Sequence, residues 1–147
     1  MTNEDCIFCR IVKGEVPCEK IWEDEKYLAF LSLGQINPGH TLLIPKKHSD
    51  YLFDLNDDEY STLMSKAKEI AELLKEKLNP KRIGMAVEGF MIPHIHIHLV
   101  PVNEGNELNP ERAKEMNAEE LKKIADIIRS RRRLTASQGG GDLSGGT

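Results

Sequence analysis

Polar and apolar residues alternate strictly through Ile92-Pro93-His94-Ile95-His96-Ile97-His98-Leu99-Val100-Pro101, the period of two that marks a strand with one buried face. Pro93 and Pro101 bracket the run where a central strand could not continue. The pattern predicts Ile95, Ile97 and Leu99 on one side, and His94, His96 and His98 on the other. Alternate side chains on a strand lie about 6.7 Å apart, so the imidazoles form an open row that one metal does not easily share.

The same patterning sets out the rest of the chain. Cys6-Ile-Phe-Cys9-Arg-Ile-Val-Lys13-Gly14 predicts a short helix stopped by Gly14, with Ile7, Phe8, Ile11 and Val12 available to the core. Apolar-rich runs at Glu19 to Trp22, Tyr27 to Leu31 and His40 to Ile44, separated by charged or Gly/Pro turns, predict successive antiparallel strands. Asn56 with Glu59 three residues on forms a capping-box pattern. The helix it starts carries Tyr60, Leu63, Met64, Ala67, Ile70, Ala71, Leu74 and Leu78 as one apolar stripe, and Asn79-Pro80 stops it. Arg82 to Glu88 predicts a strand that pairs as a hairpin neighbour with the histidine run. After the polar loop Asn103 to Arg112, Asn117-Ala-Glu-Glu120 caps a second amphipathic helix with Leu121, Ile124, Ala125 and Ile128 on one face. The elements sum to an α+β domain with an antiparallel sheet of about five strands, a short N-terminal helix, one long helix and a C-terminal helix. Residues 1–134 are expected to form that domain, and the Gly- and Ser-rich residues 135–147 a disordered tail.

Composition narrows the class. The 147 residues suit one domain with a sizeable core, 39% hydrophobic and 30% charged residues fit a soluble globular chain, and a formal net charge of -4 gives no reason to expect nucleic acid. A small-molecule partner is expected instead. No apolar run spans a bilayer and the acidic start Met1-Thr2-Asn3-Glu4-Asp5 is unlike a secretory signal, so the expected location is cytoplasmic, without a membrane partner. The three cysteines include Cys6-x-x-Cys9, which in a reducing compartment points to metal or redox use rather than a disulfide framework. Cys18 is read as packing or surface. Arg129, Arg131, Arg132 and Arg133 are read as a solvated basic end of the last helix.

A row of imidazoles adds little to sheet stability but supplies groups titrating near neutral pH. Two chemistries compete for it. His94 and His96 could ligate a catalytic metal with an open position for water. Alternatively, a neutral imidazole attacks phosphorus directly, with its other ring nitrogen fixed by a hydrogen bond and neighbouring donors stabilising the phosphate oxygens. The row favours the second, with His96 flanked on both sides.

The sequence His94-Ile-His-Ile-His-Leu-Val100 resembles the signature of the histidine triad, or HIT, superfamily of nucleotide hydrolases and transferases. Three further blocks resemble that family in the same order: Phe8-Cys-Arg-Ile-Val-Lys-Gly-Glu-Val-Pro17, Trp22-Glu-Asp-Glu-Lys-Tyr-Leu-Ala-Phe30 and Pro38-Gly-His-Thr-Leu-Leu-Ile-Pro-Lys-Lys-His48. The resemblance implies a HIT-like fold, a homodimer, and hydrolysis at the α-phosphorus of a nucleoside phosphoramidate or dinucleoside polyphosphate. It makes His96 the nucleophile that forms a nucleotidyl-histidine, His98 a phosphate contact and His40 a support of the nucleophile's surroundings. A purine is implied, adenine first, with Ile7, Phe8, Ile11, Leu31, Ser32 and Gly89 at the nucleotide. Some members pair an N-terminal Cys-x-x-Cys with two histidines, which here implies structural zinc on Cys6, Cys9, His48 and His94; no organic cofactor is expected.

Two departures stand out. The family usually has an Asp for the ribose hydroxyls where this chain has Ser32, and many members carry Gly-Gln-Ser before the triad where this chain has the short Gly89-Phe-Met-Ile-Pro93. A neutral hydroxyl loses the charge-assisted part of a ribose contact. A nucleotide-binding or regulatory protein with weak activity, or a metallohydrolase built on His94 and His96, is the alternative.

Overall fold

The computed structural model describes residues 5–130. Along the chain run α1 (Ile7–Val12), β1 (Lys20–Glu23), β2 (Tyr27–Leu31), β3 (Gly34–Gln35), β4 (Thr41–Pro45), α2 (Asp57–Leu78), β5 (Arg82–Ala86), β6 (Ile97–Val102), β7 (Lys114–Glu115) and α3 (Ala118–Arg129). Five strands form one antiparallel sheet in the order β1-β2-β4-β6-β5, and β3 pairs with β7 in a separate two-stranded ribbon. The ribbon was not foreseen, because two residues carry no periodicity.

Both long helices start as their sequences dictate. Asn56 and Asn117 accept from the backbone of Glu59 and Glu120, whose carboxylates return to the cap nitrogens. Each reciprocal pair satisfies two otherwise orphaned backbone donors. Asn79 ends α2 in the left-handed conformation at φ 54, where a short polar side chain is tolerated.

α2 and α3 cover one face of the sheet. Ala29, Leu31, Leu43, Ile97 and Leu99 meet Leu63, Ala67, Ile70, Leu74, Leu121 and Ile128 there. The opposite face carries a second cluster in which Phe8, Cys9 and Ile11 of α1 cover Leu28, Phe30, Leu42 and Ile44. With both faces covered, all five residues of β2 are buried, so that strand reads as a continuous apolar run.

The histidine run departs from its expected form. The ladder begins only at Ile97 and runs on through Pro101 to Val102. β4 last pairs at Leu43↔Ile97 and β5 at Ala86↔His98, so His94 and His96 lie beyond the paired region. Pro101 does not end the strand, because its carbonyl points to the side where β4 has stopped and accepts from Asn37 Nδ2 at 2.8 Å. The N–H that proline lacks would face the same side, so no ladder bond is lost. The basic residues 131–133 and the tail 135–147 lie outside the described residues.

Candidate active site and Cys2His2 cluster

Alternation still sorts the side chains. Ile95, Ile97 and Leu99 enter the core under α2 and α3, while His94, His96 and His98 line up on the face that α1 covers. Phe8 packs edge-on against His94 and His96 at ring-centroid distances of 5.8 and 5.2 Å. The His96 and His98 rings are 5.1 Å apart.

Hydrogen bonds fix the tautomer of each imidazole. His96 Nδ1 lies 2.7 Å from the carbonyl oxygen of His94. A carbonyl only accepts, so Nδ1 carries the proton and Nε2 of the neutral ring keeps a lone pair. A second chain begins at Ile36, whose backbone N–H donates to His40 Nδ1 at 3.1 Å. His40 therefore carries its proton on Nε2 and donates to His98 Nδ1 at 2.9 Å. That leaves Nε2–H of His98 as a donor with no partner among the described residues. Burial, and then the neighbouring His98, push His40 down to about 4. Burial, and then His96, push His98 to about 4 as well. Both rings are neutral near pH 7, as the chain of hydrogen bonds requires.

The turn before β4 holds this chain in place. Gln35 is buried, donates to the carbonyls of Ser32 and His40, and accepts from the N–H groups of Gly39 and His40. All its polar capacity goes to closing the turn between Ser32 and His40. Gly39 adopts φ +100, and a Cβ there would run into the Leu78 side chain and sit 3.1 Å from Pro101. Sequence reasoning missed Gln35, because one polar residue in a turn breaks no pattern.

At the other end of the row, Cys6, Cys9, His48 and His94 bring one donor atom each to within 4.8 Å of one another. Cys6 Sγ and Cys9 Sγ lie 3.4 and 3.6 Å from His94 Nδ1, Cys9 Sγ lies 3.3 Å from His48 Nδ1, and the two Nδ1 atoms are 3.2 Å apart. A tetrahedral zinc with its usual bond lengths has donor–donor edges of about 3.4–3.8 Å, so the set fits such an ion with small adjustment. His94 Nε2 donates to the Pro45 carbonyl at 2.8 Å, which turns the Nδ1 lone pair toward the sulfurs, as an outer partner of a ligating histidine does. Burial pushes the Cys6 thiol up and His94 down, so the apolar surroundings favour neutral thiol and imidazole in the absence of a cation.

These commitments separate His94 from His96. One nitrogen of His94 faces the cysteines and the other faces Pro45. The two histidines therefore do not converge on a shared open metal position.

The other expected site residues divide. Ser32 lines a cavity of about 280 Å³ together with His40 and His98. Gly89, at φ +89, lines a neighbouring cavity of about 240 Å³ with His96. Phe8 is buried against the histidines and Ile7 is 37% exposed beside it. Leu31 is misplaced by expectation: it sits on the opposite face, in the core under the helices, because alternation along β2 turns it away from Phe30. Cys18 is half-buried beside the second cluster.

A covered antiparallel sheet with a histidine row on one face defines the histidine-triad class. A family model of the HIT domain matches residues 13–105. An uncharacterized HIT-like protein of Methanocaldococcus jannaschii is 38% identical over 105 residues, covering 69% of this chain and 81% of that one. An adenosine 5'-monophosphoramidase of Schizosaccharomyces pombe is 33% identical over 97 residues, covering 65% of this chain and 73% of that one. Among solved structures, a zinc-bound histidine triad family protein from Mycobacterium smegmatis superposes with a TM-score of 0.71 at 28% identity, covering 84% of this chain and 90% of that one. The chain belongs to the HIT family.

Proposed function

We propose that the protein is a nucleotide hydrolase acting at the α-phosphorus of a purine nucleoside phosphoramidate or dinucleoside polyphosphate, with His96 as nucleophile. The observation that carries this is the hydrogen bond from His96 Nδ1 to the His94 carbonyl, which leaves Nε2 as a lone pair beside the Nε2–H of His98. Nε2 of His96 adds to phosphorus, and the bond to the leaving group breaks with its electron pair. The leaving atom takes a proton from solvent where its basicity requires one. In the second step water adds to phosphorus, the P–Nε2 bond breaks with its pair returning to the ring, and the water proton passes to solvent. His98 donates to a phosphate oxygen and His40 holds it in the donating tautomer. Dividing one displacement in two is the gain that covalent catalysis offers.

Ser32 is the residue proposed to meet the ribose, Phe8 and Ile7 to border the base, and Gly89 to lend backbone near the phosphate. The Cys2His2 set is proposed to hold a structural zinc, on the strength of its donor chemistry and spacing; four protein donors leave no open position for chemistry. The fourth donor, His94, ties such an ion to the carbonyl that holds His96. The protein is proposed to work as a homodimer, since β5 presents an unpaired edge, and in the cytoplasm. No helix among the described residues is long and apolar enough to cross a membrane.

Intact-protein mass spectrometry after acid quench with adenosine 5'-phosphoramidate tests the assignment. A nucleotidyl adduct on the wild type that is absent in His96→Ala and survives chelation is expected. Saturable nucleotide binding without adduct or turnover would instead make this a binding protein.

A further inference from the structure

One stretch of chain after β6 walls the cavity that holds Ser32, His40 and His98. Leu108, Pro110 and Ala113 line that cavity, and all three lie beyond the residues 13–105 that the family model matches. Two glycines seat the wall. A Cβ on Gly84 would come within 3.1 Å of the Leu108 side chain, and one on Gly34 within 3.4 Å of the Ala113 Cβ. Glu107 latches the stretch: its carboxylate accepts from the backbone N–H groups of Asn103 and Glu104, and from Asn37 Nδ2 at 3.0 Å. Arg112 donates to the Glu107 carbonyl at 2.9 Å and to Asn37 Oδ1 at 3.2 Å. Asn37 sits in the turn that carries His40, whose N–H donates to the Asn37 carbonyl at 3.0 Å. Pairing of β7 with β3 fastens the far end.

Charge is uneven along this cavity. Glu88, the only charged residue lining it among the described residues, lies past Ala86, which pairs with His98. Leu108 stands at the other end, over Gly84, which pairs with Val100. Ser32 lies toward that same end, since its N–H donates to the His40 carbonyl and the next residue, Thr41, pairs with Leu99. There the lining sets one neutral hydroxyl against an apolar wall, and the Arg112 guanidinium is turned into the latch.

Resting on the nucleotide reading above, we propose that the 107–113 wall makes this end a sugar subsite that reads shape rather than charge. It admits 2'-deoxyribose about as well as ribose, and it refuses a sugar that carries a phosphate. The Ser32 hydroxyl serves one sugar hydroxyl, which the 3' position supplies in both sugars. A hydrogen bond between neutral groups is worth about two- to tenfold in affinity, so loss of the 2' hydroxyl costs little. A phosphate on the 3' oxygen would exchange water for Leu108, Pro110 and Ala113, with no lysine or arginine in the lining to receive it. A charge placed so is neither solvated nor paired, and the ligand that brings it is rejected.

Calorimetry with adenosine 5'-monophosphate, its 2'-deoxy form and adenosine 3',5'-bisphosphate tests this on the wild type, Leu108→Arg and Glu107→Ala. Neither position belongs to the core clusters, so both variants are expected to fold. The wild type is expected to bind the deoxynucleotide within about tenfold of the ribonucleotide, and the bisphosphate more than about tenfold more weakly. Leu108→Arg supplies the missing cation and should narrow the bisphosphate gap severalfold. Glu107→Ala releases the wall and should narrow the same gap, a ratio that a mere loss of stability does not move. A deoxynucleotide bound more than about tenfold more weakly than the ribonucleotide overturns the subsite. So does a bisphosphate bound as well as the monophosphate, or a gap that either variant leaves unchanged. These failures leave the His96 adduct in place. Absence of the adduct with the expected ratios overturns the hydrolase assignment alone, and absence of binding by all three nucleotides overturns both.

Discussion

The carbonyl oxygen of His94 accepts from His96 Nδ1 at 2.7 Å, while the ring of the same His94 stands between the Pro45 carbonyl and the two cysteine sulfurs. One residue thus belongs to both centres. Phe8 of α1, between Cys6 and Cys9 in the sequence, touches both rings and ties the helix to the same pair.

Loss of the Cys2His2 cluster should therefore loosen the proposed nucleophile as well as the fold. Chelation, or Cys9→Ser, is expected to lower Tm by on the order of 10 °C, since a metal bound only by the folded state contributes its binding energy to folding. The His96 ring signals in a nitrogen-15 NMR spectrum are expected to broaden or shift at the same time. A chelator-resistant Tm in a protein shown to be metal-loaded would contradict this coupling.

His40→Gln keeps a side-chain donor but cannot complete the relay from the Ile36 N–H to His98. The second histidine then loses its fixed tautomer, and kcat is expected to fall by about 10- to 100-fold with a smaller change in KM. Steady-state kinetics on a phosphoramidate substrate check it.

Acid should destabilise the fold through the same pair. In the unfolded chain His40 and His98 titrate near 6.5, whereas in the folded protein burial holds both to about 4. Between those values the unfolded state binds more protons. Stability is thus fully present above pH 6.5 and lost as pH falls toward 4, by on the order of 3 kcal/mol for each of the two. Chemical denaturation at a series of pH values should show a shallower slope in His40→Gln than in the wild type, with any metal contribution common to both.

Ser32→Asp should tighten nucleoside monophosphate binding. A charged acceptor improves on a neutral hydroxyl by about 1 kcal/mol, or roughly five- to tenfold in Kd. The gain should shrink for the dideoxy nucleotide, which calorimetry with both ligands measures.

Gly39→Ala should cost stability outright. The left-handed φ and the collision with Leu78 and Pro101 act together, and a loss of about 2 kcal/mol or more is expected in urea denaturation.

The sequence by itself determined most of the elements and the face that the three histidines share. Capping boxes at Asn56 and Asn117 place α2 and α3 because a cap is a local hydrogen-bond pattern. The i, i+2, i+4 spacing of His94, His96 and His98 sends them to one face because the strand period is two, even where the ladder has ended. Only the tertiary structure decided the rest. Which nitrogen of each imidazole holds the proton depends on partners that only the folded chain brings to it, far along the sequence for His94 with Pro45 and for His98 with His40. Gln35 earned its place by filling four hydrogen-bond positions that exist only once the turn has closed. Leu31 and Phe30 are adjacent and equally apolar, and the sequence cannot say which faces the histidines. The register of β2 against β4 settles it, because Phe30 shares its face with Leu42 while Leu31 turns to the helices. Local patterns fix periodicity and caps; long-range pairing fixes which face, which nitrogen and which neighbour.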